Sequence, residues 1–314
     1  MKILITGAAG FIGSHIAERL ATTRHNVFGV DNFSPYYNAT LKKSNALSIQ
    51  NKGVTFQELD LRTASLENLL SEKFDVIFHF AAHPGISSSS TFDDYLSNNV
   101  IATQRLLDLI ALQNKKPFFV NISTSSVYGL EATFPETHPA KPASWYGVTK
   151  LAAEQLVLSY QRRGVINATS LRLFSVYGPR ERPDKLYTRL IDSAINNKPF
   201  PLFNGSEKHL RSYTYVQDIV DGICSVLDKQ EICNGEIFNL GTEVENSTLM
   251  GIKTVEKLLN LSITIQNMPA RIGDQSRTHA NIEKARKLLN YNPTTTLEEG
   301  VAAQIEWFKG LSKF

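Results

Sequence analysis

Tyr146 and Lys150 stand four residues apart in Tyr146-Gly147-Val148-Thr149-Lys150. That spacing puts both side chains on one face of a helix. A phenol is a poor base at neutral pH, its ordinary pKa being near ~10. A neighbouring ammonium, and an oxidised nicotinamide beside it, both favour the phenolate and bring the group toward the working range of a proton carrier. Thr124, in Ser123-Thr124-Ser125-Ser126-Val127-Tyr128-Gly129, offers a hydroxyl that can share the same proton. Far upstream lies Gly7-Ala8-Ala9-Gly10-Phe11-Ile12-Gly13, whose glycine spacing lets backbone approach a pyrophosphate closely. A proton-moving pair together with a dinucleotide loop implies oxidoreduction of an alcohol. Thr124, Tyr146 and Lys150 are then the catalytic residues, and Tyr146 and Lys150 also border the cofactor. A chance Tyr-x-x-x-Lys on a surface helix is the competing reading of the pair alone; loop, hydroxyl and pair in this order argue against it.

The elements that must position these residues are legible as an alternation. Lys2–Thr6, Asn26–Val30, Val54–Glu58, Asp75–Phe80, Phe118–Ile122 and Thr169–Phe174 are short, Val-, Ile- and Phe-rich runs that predict strands. Between them, Phe11–Thr22, Leu66–Ser71, Asp94–Gln113 and Tyr146–Arg163 have apolar residues at helical spacing. Such alternation predicts an α/β fold, a doubly wound parallel (Rossmann) sheet with ligands at the carboxyl ends of its strands. Beyond Pro179 the punctuation by proline and glycine becomes dense, which predicts a smaller C-terminal substrate-binding lobe. The expected division is a Rossmann domain over residues 1–178, joined by part of 215–240, and a lobe over 179–314.

Composition narrows the partners. A net charge of +3 over 314 residues argues for neither a nucleic-acid nor a membrane surface. No apolar run reaches the ~20 residues that cross a bilayer, and the two cysteines, Cys224 and Cys233, have no metal-site or disulfide spacing. A cytoplasmic protein without a metal is expected.

For the dinucleotide site, the loop follows a predicted strand and opens a predicted helix, as the motif requires. Gly7, Gly10, Phe11, Ile12 and Gly13 would cradle the pyrophosphate. Asp31, with Asn32 beside it, falls at the end of the second strand, where a carboxylate meets the adenosine ribose and repels a 2′-phosphate. NAD is therefore expected rather than NADP. Capping of a local turn by Asp31 is the other reading. Asp60 and Leu61, after the third strand, are candidate adenine contacts.

With these motifs in place, the chain resembles the extended short-chain dehydrogenase/reductases that act on nucleotide sugars, over essentially its whole length. His79-Phe80-Ala81-Ala82, Leu173-Phe174-Ser175-Val176-Tyr177-Gly178-Pro179-Arg180 and Arg271-Ile272-Gly273-Asp274 are similar to motifs of that family. The resemblance implies that Ala81 and Ala82 border the cofactor. It implies that Arg211 and Tyr213 grip a nucleotide diphosphate, with Arg271 and Asp274 opposite. Guanidinium groups suit that role through bidentate contacts to phosphate oxygens.

Within the family, members that eliminate water carry Asp-Glu after the threonine, and members that decarboxylate UDP-glucuronate carry glutamate at the second of those positions. Here both are serine, Ser125 and Ser126. Reversible oxidation alone remains, which means epimerisation. Asp31-Asn32-Phe33-Ser34-Pro35-Tyr36-Tyr37-Asn38 and Arg180-Glu181-Arg182-Pro183-Asp184 look like segments of UDP-glucuronate 4-epimerases, placing Arg182 in the substrate site. Ser175 keeps the hydroxyl of the threonine usual in that group. Ser87 stands where the group usually has arginine. The implied reaction converts UDP-glucuronate to UDP-galacturonate through a 4-keto sugar on a retained NAD, for polysaccharide precursor supply. UDP-glucose 4-epimerase, UDP-glucuronate decarboxylase and a non-enzymatic dinucleotide-binding sensor are the alternatives. Relatives dimerise through the helices corresponding to Asp94–Gln113 and Tyr146–Arg163, so a homodimer is implied.

Overall fold

The computed structural model describes residues 1–23, 25–87, 89–270 and 275–311. The apolar runs become seven parallel strands, in the spatial order Ile237–Leu240, Ala168–Leu173, Phe118–Thr124, Val76–His79, Lys2–Thr6, Asn26–Asp31, Thr55–Glu58. Phe118–Thr124 and Ala168–Leu173 are buried at every position, as strands covered on both faces by helices must be. One core packs Ile3, Ile5, Ile16 and Val120 under helices Phe11–Ala21 and Val216–Cys224. The opposite core packs Leu4, Ile77, Leu106 and Val157 under Ala102–Ala111 and Trp145–Arg162. The doubly wound sheet implied by the sequence is thus observed. The strand Ile237–Leu240 returns to it from beyond Pro179, pairing in register with Ser170–Leu173.

Three differences from the sequence pattern have physical causes. Ala39–Asn51 is a helix although its apolar residues are sparse; Asn38 caps it by accepting from the Thr40 amide at 2.9 Å. The expected helix Asp94–Gln113 is broken into Phe92–Tyr95, a π-turn over Leu96–Ile101 and Ala102–Ala111. Asn99, in that π-turn, is 1% exposed and is turned inward to bond other elements, which a regular turn would misdirect. Past residue 179, the strands are mostly two to four residues long, and Leu210–Arg211 joins a small sheet with Asn246–Ser247, Arg277–Thr278 and Glu131–Ala132. Pairs this short cannot be read from periodicity.

Asn121, on the strand Phe118–Thr124, is fully buried, its amide donating to Ser170 Oγ at 2.9 Å. Both cysteines are free thiols. Among the described residues, no helix is long and apolar enough to cross a membrane.

Candidate active site

A cleft of about 510 Å³ opens at the carboxyl ends of the strands, where the sheet order reverses beside Lys2–Thr6. Its floor is the glycine loop. A Cβ on Gly13 would lie 2.3 Å from the Gly7 carbonyl oxygen, and one on Gly7 would lie 2.8 Å from the Ala81 amide nitrogen. Only glycine fits at either position, and Gly7 has φ +71° besides. The helix Phe11–Ala21 starts at Gly10 without a side-chain cap, so its first amides face the cleft as a site for an anion.

Asp31 is 8% exposed; its oxygens accept from the amides of Ala9 (3.2 Å) and Phe33 (2.9 Å). Burial pushes its carboxyl pKa up, while Lys42 pulls the other way. Lys42 donates to the Ser34 carbonyl at 2.9 Å and lies over the Tyr37 ring. Asp60 is held by Arg62 at 2.7 Å and accepts from Asn32 at 3.1 Å. Those hydrogen bonds from Arg62 hold the Asp60 carboxyl far below its usual range. Phe11, Ile12, Leu61, Ala81 and Ala82 complete the lining. A glycine cradle with an uncapped helix start, a ribose-side carboxylate and an apolar wall fits a dinucleotide.

The catalytic candidates converge across this cleft. Thr124 ends the strand Phe118–Thr124, while Tyr146 and Lys150 lie on the helix Trp145–Arg162, which Ser144 caps by accepting from the Gly147 amide at 3.1 Å. The helix can approach because Gly147 has no side chain: a Cβ there would be 2.6 Å from the Ser126 carbonyl oxygen. Thr124 and the Tyr146 phenol line the same wall of the cleft, and the Thr124 hydroxyl donates to Ser126 Oγ at 3.3 Å.

Desolvation works against the phenolate that Lys150 and an oxidised nicotinamide are expected to favour. Burial raises the Tyr146 pKa, and the groups opposing that rise are Thr124, Arg182 and the Gly85 backbone. Lys150 is 4% exposed, and burial lowers its ammonium to about 8, with Glu154 one turn on opposing the drop.

Of the substrate candidates, Ser125, Ser126, Ser175, Arg182 and Arg211 line the cleft. Ser126 donates its amide to Thr124 Oγ1 at 3.2 Å, fixing the turn that presents these hydroxyls. Arg182 donates to both oxygens of Asp184, at 3.0 and 2.9 Å, and its Nη2 sits where a Gly85 Cβ would fall, 2.7 Å away. Arg211 donates to the Gln275 carbonyl. Ser87 lies instead at a neighbouring hollow with Ile86, Trp145 and Tyr146, its amide donating to the Tyr95 hydroxyl at 3.1 Å. Tyr213 is placed away from the cleft wall, its ring edge-on to Tyr187 at 5.0 Å. Arg271 and Asp274 lie outside the described residues.

The sequence reading missed several contributors. Tyr36, Lys42, Arg62, Lys185 and Gln275 all line the cleft. Asn99 accepts from the His83 amide at 2.7 Å and donates to Thr149 Oγ1 at 3.0 Å, tying the loop at 83 to the catalytic helix. The available signal was the polar pair Asn98-Asn99 inside an otherwise apolar helical pattern.

The chain is similar to known proteins. The model of the NAD dependent epimerase/dehydratase family matches residues 3–241. The chain is similar to the UDP-glucuronic acid 4-epimerase of Bacillus cereus, solved in complex with UDP-glucuronic acid and NAD. The two superpose with a TM-score of 0.94 at 38% identity, over 99% of this chain and 100% of that one. It is 32% identical to UDP-glucuronate 4-epimerase 2 of Arabidopsis thaliana, over 100% of this chain and 77% of that protein. An uncharacterized UDP-glucose epimerase of Bacillus subtilis is 40% identical, over 99% of both chains.

Proposed function

Since the chain belongs to the NAD dependent epimerase/dehydratase family, we propose that it is an NAD-dependent 4-epimerase of UDP-glucuronate and UDP-galacturonate. The observation that carries this reading is that Tyr146, Lys150 and Thr124 meet in one cleft with the glycine loop, and that the two positions after Thr124, Ser125 and Ser126, are neutral hydroxyls. That set can move a proton on and off an alcohol but has no carboxylate there for elimination. The Bacillus cereus enzyme with UDP-glucuronic acid and NAD supports the choice of sugar and cofactor.

Gly7, Gly10 and Gly13 would hold the NAD pyrophosphate, Asp31 the adenosine ribose, Asp60 and Leu61 the adenine, and Lys150 the nicotinamide end. Bound NAD supplies a hydride acceptor and donor at the sugar C4. Tyr146, as phenolate, accepts the proton of the sugar O4, with Thr124 donating to the same oxygen. Lys150 and Arg182 stabilise the phenolate charge. The resulting 4-keto sugar turns about its diphosphate, and Tyr146 returns the proton once the other face has been reduced. Arg211 and Arg182 anchor the anionic part of the substrate during that turn.

A 4-keto glucuronate is a β-keto acid and loses carbon dioxide when its carboxylate C–C bond aligns with the ketone π system. We assign Thr124, Ser125, Ser126 and Ser175 to holding the carboxylate out of that alignment. Replacing Ser125 and Ser175 with alanine should raise the share of pentose product; an unchanged ratio removes the assignment.

The protein purified without added NAD and incubated with UDP-glucuronate should yield UDP-galacturonate on chromatography. UDP-galactose formed from UDP-glucose instead would establish the neutral-sugar reading, which Ser87 favours because it brings no cation to this cleft. Tyr146→Phe should lower turnover on the order of 10²–10⁴-fold with NAD retained; full activity would refute the proton-transfer role.

We place the enzyme in the cytoplasm as a homodimer. Exposed apolar residues on the catalytic helix and its neighbours support the dimer: Trp145 and Phe92 meet at 6.2 Å, with Val148 and Ile101 also exposed. A sedimenting mass of 35.0 kDa would exclude it.

A further inference from the structure

Basic side chains of Arg182, Lys185 and Arg211 all reach the same cleft. Arg182 is engaged by Asp184 at 2.9 Å, and Arg211 by the Gln275 carbonyl. Lys185 forms neither an ion pair nor a side-chain hydrogen bond among the described residues. The residue as a whole is exposed, while it lines the cleft beside groups that bear on its charge. Burial, then Arg182, and more weakly Arg211 disfavour its charge, against Asp184 and Glu181. Like charges held together without enough counter-charge call for an anion between them. Lys185 lies within electrostatic range of both guanidiniums. Arg182 reaches toward Gly85 and Tyr146, the reacting end, and Arg211 toward Gln275, away from it.

Resting on the UDP-sugar reading, we propose that Lys185 is an oxyanion-binding residue of this cleft, contacting the substrate's diphosphate or its sugar carboxylate. It thereby supplies the cation that position 87 does not. A lysine suits the task because its ammonium is a mobile point charge on a flexible stem, able to follow an oxyanion while the substrate turns.

The test is titration calorimetry of the NAD-loaded protein with UDP, UDP-glucose and UDP-glucuronate, for wild type, Lys185→Met and Lys185→Arg. Lys185→Met should weaken binding by roughly 5- to 30-fold, and Lys185→Arg should restore most of it. Equal loss for all three ligands assigns the diphosphate; loss confined to UDP-glucuronate assigns the carboxylate. Binding of every ligand to Lys185→Met within about twofold of wild type overturns the proposal while leaving the UDP-sugar reading intact. Failure of wild type to bind any of the three overturns that reading itself.

Discussion

Gly7, Gly10 and Gly13 meet the cleft through backbone, whereas Arg182, Lys185 and Arg211 meet it through long side chains. The first set is fixed by strands of four to seven residues in continuous parallel register, with the loop amides of Gly7 and Ala8 donating to the Val30 carbonyl at 2.8 and 3.1 Å. The second set hangs on strands as short as two residues and on ion pairs such as Arg182–Asp184. A backbone cradle admits one shape and tolerates no added atom. A side-chain wall can be retuned residue by residue. That division suits a fold whose solved relatives hold NAD beside either UDP-glucuronic acid or UDP-glucose, and it says where each side should break.

The largest effect is expected where backbone meets backbone. Gly13→Val must push its Cβ through a contact of 2.3 Å with the Gly7 carbonyl oxygen, and no flexible group can move aside. The variant should lose bound NAD completely, as read from the cofactor released on denaturation. Retention of NAD at wild-type stoichiometry would show that the loop rearranges, and the contrast between the two walls would fail.

Next comes the ion pair behind the catalytic helix. Arg172 and Glu154 meet at 2.6 Å with side chains 4% and 0% exposed, and Glu154 also accepts from Ser170 Oγ at 3.2 Å. Glu154→Ala leaves a guanidinium buried without its counter-charge, at a cost of about 3–5 kcal/mol. Denaturant unfolding should register that loss. A change below about 1 kcal/mol would mean the sheet wall is as adaptable as the side-chain one. Since Glu154 also supports the Lys150 charge, surviving enzyme should show its alkaline activity limit shifted to lower pH.

The contrast also explains what could be read from sequence. The strands Lys2–Thr6 and Phe118–Thr124, the glycine loop and the Tyr146–Lys150 helix carry their signals locally, in apolar runs and fixed spacings. Thr124 could be placed because a strand end is a strand end whatever lies beyond it. Tyr213 carries no such local signal: its expected diphosphate contact rests on motif resemblance alone, and its ring packs edge-on to Tyr187. Asn99 escaped because a π-turn is a tertiary accommodation to His83 and Thr149, residues 16 and 50 positions away. Lys42 and Lys185 escaped because a surface-like lysine acquires meaning only from its neighbours. The four-stranded sheet was invisible for the same reason, since two-residue pairs far apart in sequence carry no period.

The smallest effect lies on the side-chain wall and depends on pH. Glu181, next to Arg182, is 3% exposed, and its Oε2 accepts from the Thr188 amide, Thr188 Oγ1 and Gln304 Nε2 at 3.1, 3.0 and 2.8 Å. Burial outweighs these donors and pushes its carboxyl pKa up to about 7, from 4.5. A raised folded-state pKa means the native state holds the proton that the unfolded chain has released. The associated stability is therefore present in full below about pH 4.5 and is lost as pH rises through about 7. The swing is on the order of 3 kcal/mol at most. Glu181→Gln removes the titration but keeps an oxygen for Thr188. Its Tm relative to wild type should rise between pH 5.5 and 8.5, while NAD retention, set by the glycine loop, stays constant across the same range. A Tm difference independent of pH would show that Glu181 is ionised in the folded protein throughout. The Arg182 arm would then be held by a buried charge rather than by a neutral acid.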